Sequence, residues 1–140
     1  MRMRRTVIDE VHSNSLMKVL QASGGLLTNA EVLAVLRDRG CDGQLPSARS
    51  LASEKVVFHE LSQCSPDARP EKLRKLMAAL QLFKLSRAEQ LQVINLAPSS
   101  MVEVHLIVER CEERLTEDQV TELLSVVSQH ITKPQPSPLS

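Results

Sequence analysis

The 140-residue sequence is almost without aromatic side chains, with two Phe and no Tyr or Trp. Proteins that hold single-stranded nucleic acid usually stack its bases on aromatic rings, so a base-stacking surface is nearly excluded. Hydrophobic residues nevertheless make up 42% of the chain. A chain of this length can bury roughly 70% of the surface that its unfolded form exposes. We therefore expect one self-sufficient core built of aliphatic side chains.

An excess of charge of either sign is also lacking, because 17 basic residues balance 17 acidic ones. A protein that binds nucleic acid over its whole surface needs a positive field that attracts the phosphates. We expect any contact with nucleic acid to be indirect, weak and local.

Paired cysteines are absent as well. Cys41, Cys64 and Cys111 are far apart and form no C-x-x-C motif, and no two histidines have metal-ligand spacing. The three cysteines indicate reduced thiols. The sequence predicts neither a metal site nor a cofactor.

Long apolar runs are missing, since no stretch approaches the roughly 20 residues that span a bilayer. The basic start of the chain is followed by Asp9 and Glu10 before any sustained apolar run, which argues against a signal or transit peptide. We expect a soluble protein without membrane association.

Motifs of catalysis and phosphate binding are absent too, including G-x-S-x-G and a P-loop lysine after Gly24-Gly25. His105 and Glu109 are four residues apart and could pair on a helix. Catalysis needs a third group and a cleft, which the sequence does not indicate, so we interpret the pair as solvent-facing. The sequence predicts no catalytic residue and a chain that is not an enzyme in its own right.

What the sequence does contain is a recurring helix start, the capping box, in which a hydroxyl and a Glu or Gln three residues later satisfy each other's backbone N–H groups. Pro46 and Pro70 can each open a further helix. Six helices with short joints predict an all-α fold, a helical bundle. The four boxes are Thr28-x-x-Glu31, Ser86-x-x-Glu89, Ser100-x-x-Glu103 and Thr116-x-x-Gln119.

One-sided apolar stripes follow three of the starts, as amphipathic helices require. The helix from Pro46 to about residue 63 fits a single stripe less well. We expect the bundle at 66–132, an N-terminal segment with helices at 26–65, a partly disordered extension at 1–25 and a disordered proline-spaced tail at 133–140. The stripes are Leu73, Leu76, Met77 and Leu80, then Met101, Val104, Ile107, Val108 and Cys111, then Val120, Leu123, Leu124, Val127 and Ile131.

Charge is unevenly placed along the chain. Residues 66–90 carry six basic groups against three acidic ones, and residues 101–122 carry seven acidic groups against two basic ones. We interpret both segments as solvated helix faces. The alternative interpretation is that they are charged surfaces that contact a larger assembly or RNA. The candidate electrostatic patch consists of Arg69, Lys72, Arg74, Lys75, Lys84 and Arg87.

The segment from Gly25 to Leu36 carries more apolar surface than a short helix can bury within its own bundle. In a soluble protein such a patch usually marks an interface. The candidate partner-binding residues are Leu26, Leu27, Val32, Leu33 and Leu36.

Four motifs resemble one known family. They are Leu26-Leu27-Thr28-Asn29-Ala30-Glu31-Val32, Leu85-Ser86-Arg87-Ala88-Glu89, Asn95-Leu96-Ala97-Pro98 and Glu112-Glu113-Arg114-Leu115-Thr116. The sequence from about 26 to 131 is similar to the ninth subunits of RNA polymerase III, also called the calcitonin-gene-related-peptide receptor component. These belong to the small stalk subunits of the polymerases.

The resemblance implies an HRDC-like helical domain and a heterodimer with the larger stalk subunit, which has a tip domain and an OB-type barrel. It further implies a nuclear protein whose N-terminal helices dock on that partner. Contacts with the polymerase core and with initiation factors would support transcription initiation at small-RNA genes.

Two other classes remain open from the sequence. One is the equivalent stalk subunit of RNA polymerase II or of an archaeal polymerase. The other is a free-standing HRDC-like nucleic-acid-binding module, which the balanced charge disfavours.

Overall fold

The computed structural model describes residues 20–44, 50–66 and 69–133, and most of them are helical. The prediction of an all-α helical bundle is confirmed. Within the described ranges the helices are α1 (Asn29–Asp38), α2 (Ala52–Cys64), α3 (Pro70–Leu80), a 3-10 helix (Gln81–Phe83), α4 (Arg87–Leu96), α5 (Met101–Ile107), α6 (Cys111–Arg114) and α7 (Glu117–His130).

The predicted capping boxes begin the helices at the expected residues. Complete boxes form at Thr28, Ser86 and Thr116. At the fourth start, the Ser100 hydroxyl accepts from the Glu103 N–H at 3.3 Å, but the Glu103 carboxylate accepts from the Ser99 N–H at 2.6 Å. The reciprocal half of this box is therefore displaced by one residue, and α5 still begins at Met101.

The helix predicted from Ser100 through Cys111 is not continuous, which corrects the count of six helices. Helix α5 ends at Ile107, and Arg110 has a left-handed backbone with φ 48° before α6 begins at Cys111. The Glu109 N–H donates to the Glu89 carboxylate at 3.1 Å. Because this tertiary bond engages backbone that would otherwise continue the helix, the chain turns here. Val104, Val108 and Cys111 of the predicted stripe still lie in the core, whereas Met101 is exposed.

The hydrophobic core lies between α3, α4, α5 and α7 and, apart from Phe83 and Cys111, is aliphatic, as the composition predicts. Leu76, Leu80, Val93, Val104 and Leu123 have no exposed surface. The core residues run from Leu73 to Ile131. The second half of the chain therefore carries most of the buried surface.

Helices α1 and α2 pack on each other beside this core. The Arg39 guanidinium lies 2.8 Å from the Glu54 carboxylate, and the Arg37 guanidinium lies 5.8 Å from the centre of the Phe58 ring. The Asn29 N–H donates to the side-chain oxygen of Asn95 in α4 at 2.9 Å. This bond ties the start of α1 to the bundle.

Some predictions fall outside the described residues. Helix α2 begins at Ala52, and residues 45–49, where Pro46 was expected to open it, are not described. The predicted extension at 1–25 is described only from residue 20, and the predicted tail at 133–140 only at Lys133. In the described part of the chain, no helix has the length and apolar character needed to cross a membrane.

Candidate partner-binding surface

Two consecutive leucines stand out from the surface just before α1. Leu26 is 63% exposed and Leu27 is 55% exposed. The next residue, Thr28, is buried, and its N–H donates to the Glu31 carboxylate at 2.6 Å. The cap fixes the backbone immediately after the two leucines. Their side chains therefore extend into solvent from an ordered part of the chain.

The remaining candidate residues divide between surface and interior. Val32 and Leu33 are half-buried, whereas Leu36 is buried within the chain. Val35, which was not among the candidates, is 50% exposed. Val35 and Leu36 are adjacent and both apolar, so the sequence does not indicate which of the two side chains faces the core. The partner-binding role of the five residues stays a prediction.

A groove of about 510 Å³ lies between the segment preceding α1 and helices α3 and α4. Leu26 lines one side, and Met77 and Leu91 line the other. Gly25 also borders the groove with φ 122°, a backbone conformation that residues with a Cβ rarely adopt. The glycine thus permits the turn that places Leu26 at the edge of the groove.

Helix α2 adds apolar surface to the same half of the chain. None of its residues is buried. Val56 and Val57 are 62% and 46% exposed, and Leu51, immediately before the helix, is 63% exposed. In the sequence, the apolar residues of 46–63 fit a single stripe poorly. This pattern indicates a helix whose apolar side chains do not all pack into the core.

The six residues of the predicted basic patch are all exposed. Arg69 precedes α3, whereas Lys84 follows the 3-10 helix. Fifteen residues of mostly helical chain separate them, which corresponds to about 20 Å. The basic groups therefore extend from the residue before α3 to the first residue of α4 and do not form one compact cluster. Their contact with nucleic acid stays a prediction.

Two of the family motifs meet through an ion pair between the buried Glu89 and the partly exposed Arg114. The Arg114 guanidinium lies 2.6 and 3.0 Å from the two carboxylate oxygens of Glu89, which is 8% exposed. Arg114 also donates to the Lys84 carbonyl at 3.0 Å. A bidentate contact with further backbone bonds is among the stronger polar arrangements in proteins. It joins the start of α4 to α6, and apart from the two motifs no local sequence pattern indicates this contact.

The same contacts set the protonation of Glu89. The Arg114 hydrogen bond holds the pKa of Glu89 at about 2, burial opposes this shift, and the N–H groups of Ser86 and Glu109 add to it. The carboxylate is therefore charged at neutral pH. We interpret this network as structural, since it fixes the turn between α5 and α6.

Replacing Glu89 with Gln is expected to lower the free energy of unfolding at pH 7 by about 1–3 kcal/mol, because Arg114 loses its charged partner. Since the folded pKa lies below the ordinary 4.5, the ionised pair stabilises the protein fully above pH 4.5. This stabilisation disappears as the pH falls toward 2. Urea unfolding from pH 7 to 2 should thus show a flatter pH dependence for Glu89→Gln than for the unchanged chain. Glu71→Gln, at an exposed position, is the matched control, and equal behaviour of the two variants would contradict the assignment.

The His105–Glu109 pair that the sequence could place on one helix does not lie on α5. His105 is exposed, and α5 ends at Ile107 before it reaches Glu109. Among the residues that the structure describes, no three His, Cys, Asp or Glu side chains could hold a metal ion together. The three cysteines are free, and burial raises the pKa of the Cys111 thiol.

Comparison with known proteins decides the family. The family model for RNA polymerase Rpb4 matches residues 26–131. The chain belongs to the RNA polymerase Rpb4 family. The matched region begins at Leu26, the first of the two exposed leucines before α1, and ends at Ile131, the last residue of the core. Family membership confirms the prediction that the chain is a non-catalytic polymerase subunit.

Relatives of this Rpb4-family chain carry a more specific name. It is 30% identical over 125 residues to the DNA-directed RNA polymerase III subunit rpc9 of Schizosaccharomyces pombe, covering 80% of this chain and 97% of the relative. It is 51% identical over 100 residues to the subunit of that name from Dictyostelium discoideum, covering 68% and 77%. Identity to the Saccharomyces cerevisiae subunit RPC9 is 41% over 58 residues, covering 41% of this chain and 36% of the relative.

Proposed function

We propose that this chain is the smaller, non-catalytic stalk subunit of RNA polymerase III and acts in the nucleus. The support is the Rpb4-family match together with three relatives that are each named as an RNA polymerase III subunit. The fission-yeast relative is covered over 97% of its length, so the similarity extends through nearly the whole of that subunit. This favours RNA polymerase III over the stalk of RNA polymerase II or of an archaeal enzyme.

The proposed partner is the larger stalk subunit, with its tip domain and OB-type barrel. The observation that carries this assignment is the pair Leu26 and Leu27, which are exposed side by side and held outward by the Thr28 cap. Apolar side chains in this position gain free energy when a partner covers them. The exposed Val56 and Val57 of α2 extend the apolar surface of the same half.

The position of the core divides the chain into a proposed docking region and a proposed helical bundle. Residues 26–65 form the proposed docking region, since α2 buries none of its residues. Residues 66–132 form the proposed HRDC-like bundle, since the core residues lie between Leu73 and Ile131. In this arrangement the bundle can remain folded while the docking region holds the partner. The bundle would then project outward, where it is accessible to the initiation factors at small-RNA genes.

Nucleic acid has at most an indirect or weak role in this proposal. The six basic residues are spread from Arg69, before α3, to Arg87 at the start of α4, and the net charge of the chain is zero. A free-standing nucleic-acid-binding module would need a denser positive surface. The proposal therefore assigns nucleic-acid binding to the assembled polymerase.

Affinity purification of the tagged full-length chain from its native cells tests the polymerase assignment. We expect RNA polymerase III-specific subunits and the larger stalk subunit in amounts comparable to the tagged chain. A chain with the tag at the other end is the control for tag interference. Enrichment of RNA polymerase II-specific subunits instead would contradict the assignment, and recovery of the chain without any polymerase would contradict the proposed function as a whole.

A further inference from the structure

A second surface feature lies on the bundle, away from the proposed docking region. A cleft of about 400 Å³ separates α5 from the start of α7. Its floor includes the buried side chains of Leu115 and Val120, and Met101 and His105 line it from α5. None of the residues that line the groove beside Leu26 also lines this cleft. The two surfaces are therefore separate.

The cleft carries negative charge that the described residues do not neutralise. Glu112 and Glu117 line it and are exposed, and neither forms an ion pair with a described residue. The neighbouring cations are engaged elsewhere, because Arg110 pairs with Glu113 at 3.6 Å and Arg114 pairs with Glu89. The positive end of the α7 dipole amounts to only about half an elementary charge, so it offsets part of Glu117 alone.

An apolar row runs beside the cleft along the outer side of α5. Val102 is 68% exposed and Leu106 is 81% exposed. They are four residues apart and therefore share a face of the helix, next to the face that carries Met101 and His105. The α5 to α7 region thus presents an apolar row beside a cleft lined with carboxylates.

We propose that this cleft binds a basic amphipathic segment of a partner protein, with Lys or Arg side chains at Glu112 and Glu117 and apolar side chains on Val102 and Leu106. The charge selects this occupant. Nucleic acid and anionic lipid surfaces are repelled by the two carboxylates, and an acidic peptide would place like charges together. The exposed apolar row needs a partner with apolar side chains at helical spacing.

The first experiment measures binding of a fluorescein-labelled helical peptide, with Lys and Arg on one face and Leu on the other, to the full-length chain by fluorescence anisotropy. Removing both charges by Glu112→Gln with Glu117→Gln is expected to weaken binding by about fivefold or more, because two charge contacts are lost. Leu106→Ser should weaken binding as well. The affinity of the unchanged chain should fall as salt is raised.

The matched control is Glu71→Gln with Glu122→Gln, which changes the net charge by the same amount at exposed positions outside both the cleft and the proposed docking region. It should leave the affinity unchanged. Equal weakening by both double variants would overturn the proposal, since the attraction would then be due to net charge. Equal binding of a peptide with Glu in place of every Lys and Arg would overturn it too, as would no binding of the basic peptide.

The second experiment places a photo-reactive amino acid at position 102 of the tagged chain in cells and reads the cross-linked sequence by mass spectrometry. A segment that alternates Lys or Arg with apolar residues at helical spacing is expected. Adducts confined to acidic segments or to nucleic acid would overturn the proposal. The cross-linking result does not depend on the stalk assignment. That assignment is tested separately by the affinity purification, which does not involve the cleft.

Discussion

Changing Leu26 and Leu27 together to Asp is expected to abolish binding of the larger stalk subunit while the helical bundle stays folded. Both side chains are more than half exposed, so two carboxylates cost little in the isolated chain. In the proposed complex the same carboxylates would be buried without partners. Burial of an unpaired charge costs several kcal/mol, which is enough to dissociate a heterodimer.

A pull-down with the larger stalk subunit, beside circular dichroism of the variant alone, measures both parts of this prediction. The matched control is Gln81→Asp with Leu82→Asp, which places the same two charges on consecutive exposed residues of the bundle. The control should bind normally. Retained binding by the Leu26 and Leu27 variant would refute the interface, and lost helicity would show that these leucines support the fold.

Replacing Leu123 with Ala is expected to lower the free energy of unfolding by about 2–5 kcal/mol, because it removes a fully buried side chain and leaves a cavity. Leu123 has no exposed surface and lies on α7, which packs against α3 and α5. The adjacent Leu124 is only partly buried against the core. We expect Leu124→Ala to cost less than about 2 kcal/mol, because less apolar surface is lost from the interior.

Urea unfolding of the two single variants measures this difference directly, and Leu124→Ala is the matched control for the same chemical change one position along the helix. The sequence placed both leucines on one stripe, and only the structure separates them. An equal loss of stability in the two variants would mean that the Leu124 side of α7 is covered as fully as the Leu123 side.

The helix starts could be predicted because their determinants are local. A capping box needs a hydroxyl and a carboxylate or amide three residues apart. The bonds at Thr28, Ser86 and Thr116 can therefore be predicted from the sequence. At Ser100 the spacing alone does not determine which backbone N–H the carboxylate binds. There the Glu103 carboxylate had two neighbouring backbone N–H groups within reach and accepted from Ser99.

The interruption between α5 and α6 could not be predicted in the same way. The apolar stripe over residues 101–111 is continuous and is typical of one helix. The break depends on Glu89, which lies 20 residues from Glu109 and 25 from Arg114 along the chain. Nothing within a helical turn of Glu109 indicates that its N–H will bond to that carboxylate.

The sequence by itself determined where helices begin, that the core is aliphatic, and that Leu26 to Ile131 carry the family pattern. These properties depend on residue type and on spacings of three or four residues. Only the tertiary structure decided that Leu36 packs inside while Val35 stays outside, that Glu89 pairs with Arg114, and that Glu112 and Glu117 line one cleft with α5. Each of these depends on how helices far apart in the chain are oriented against one another, and local spacing does not specify that orientation.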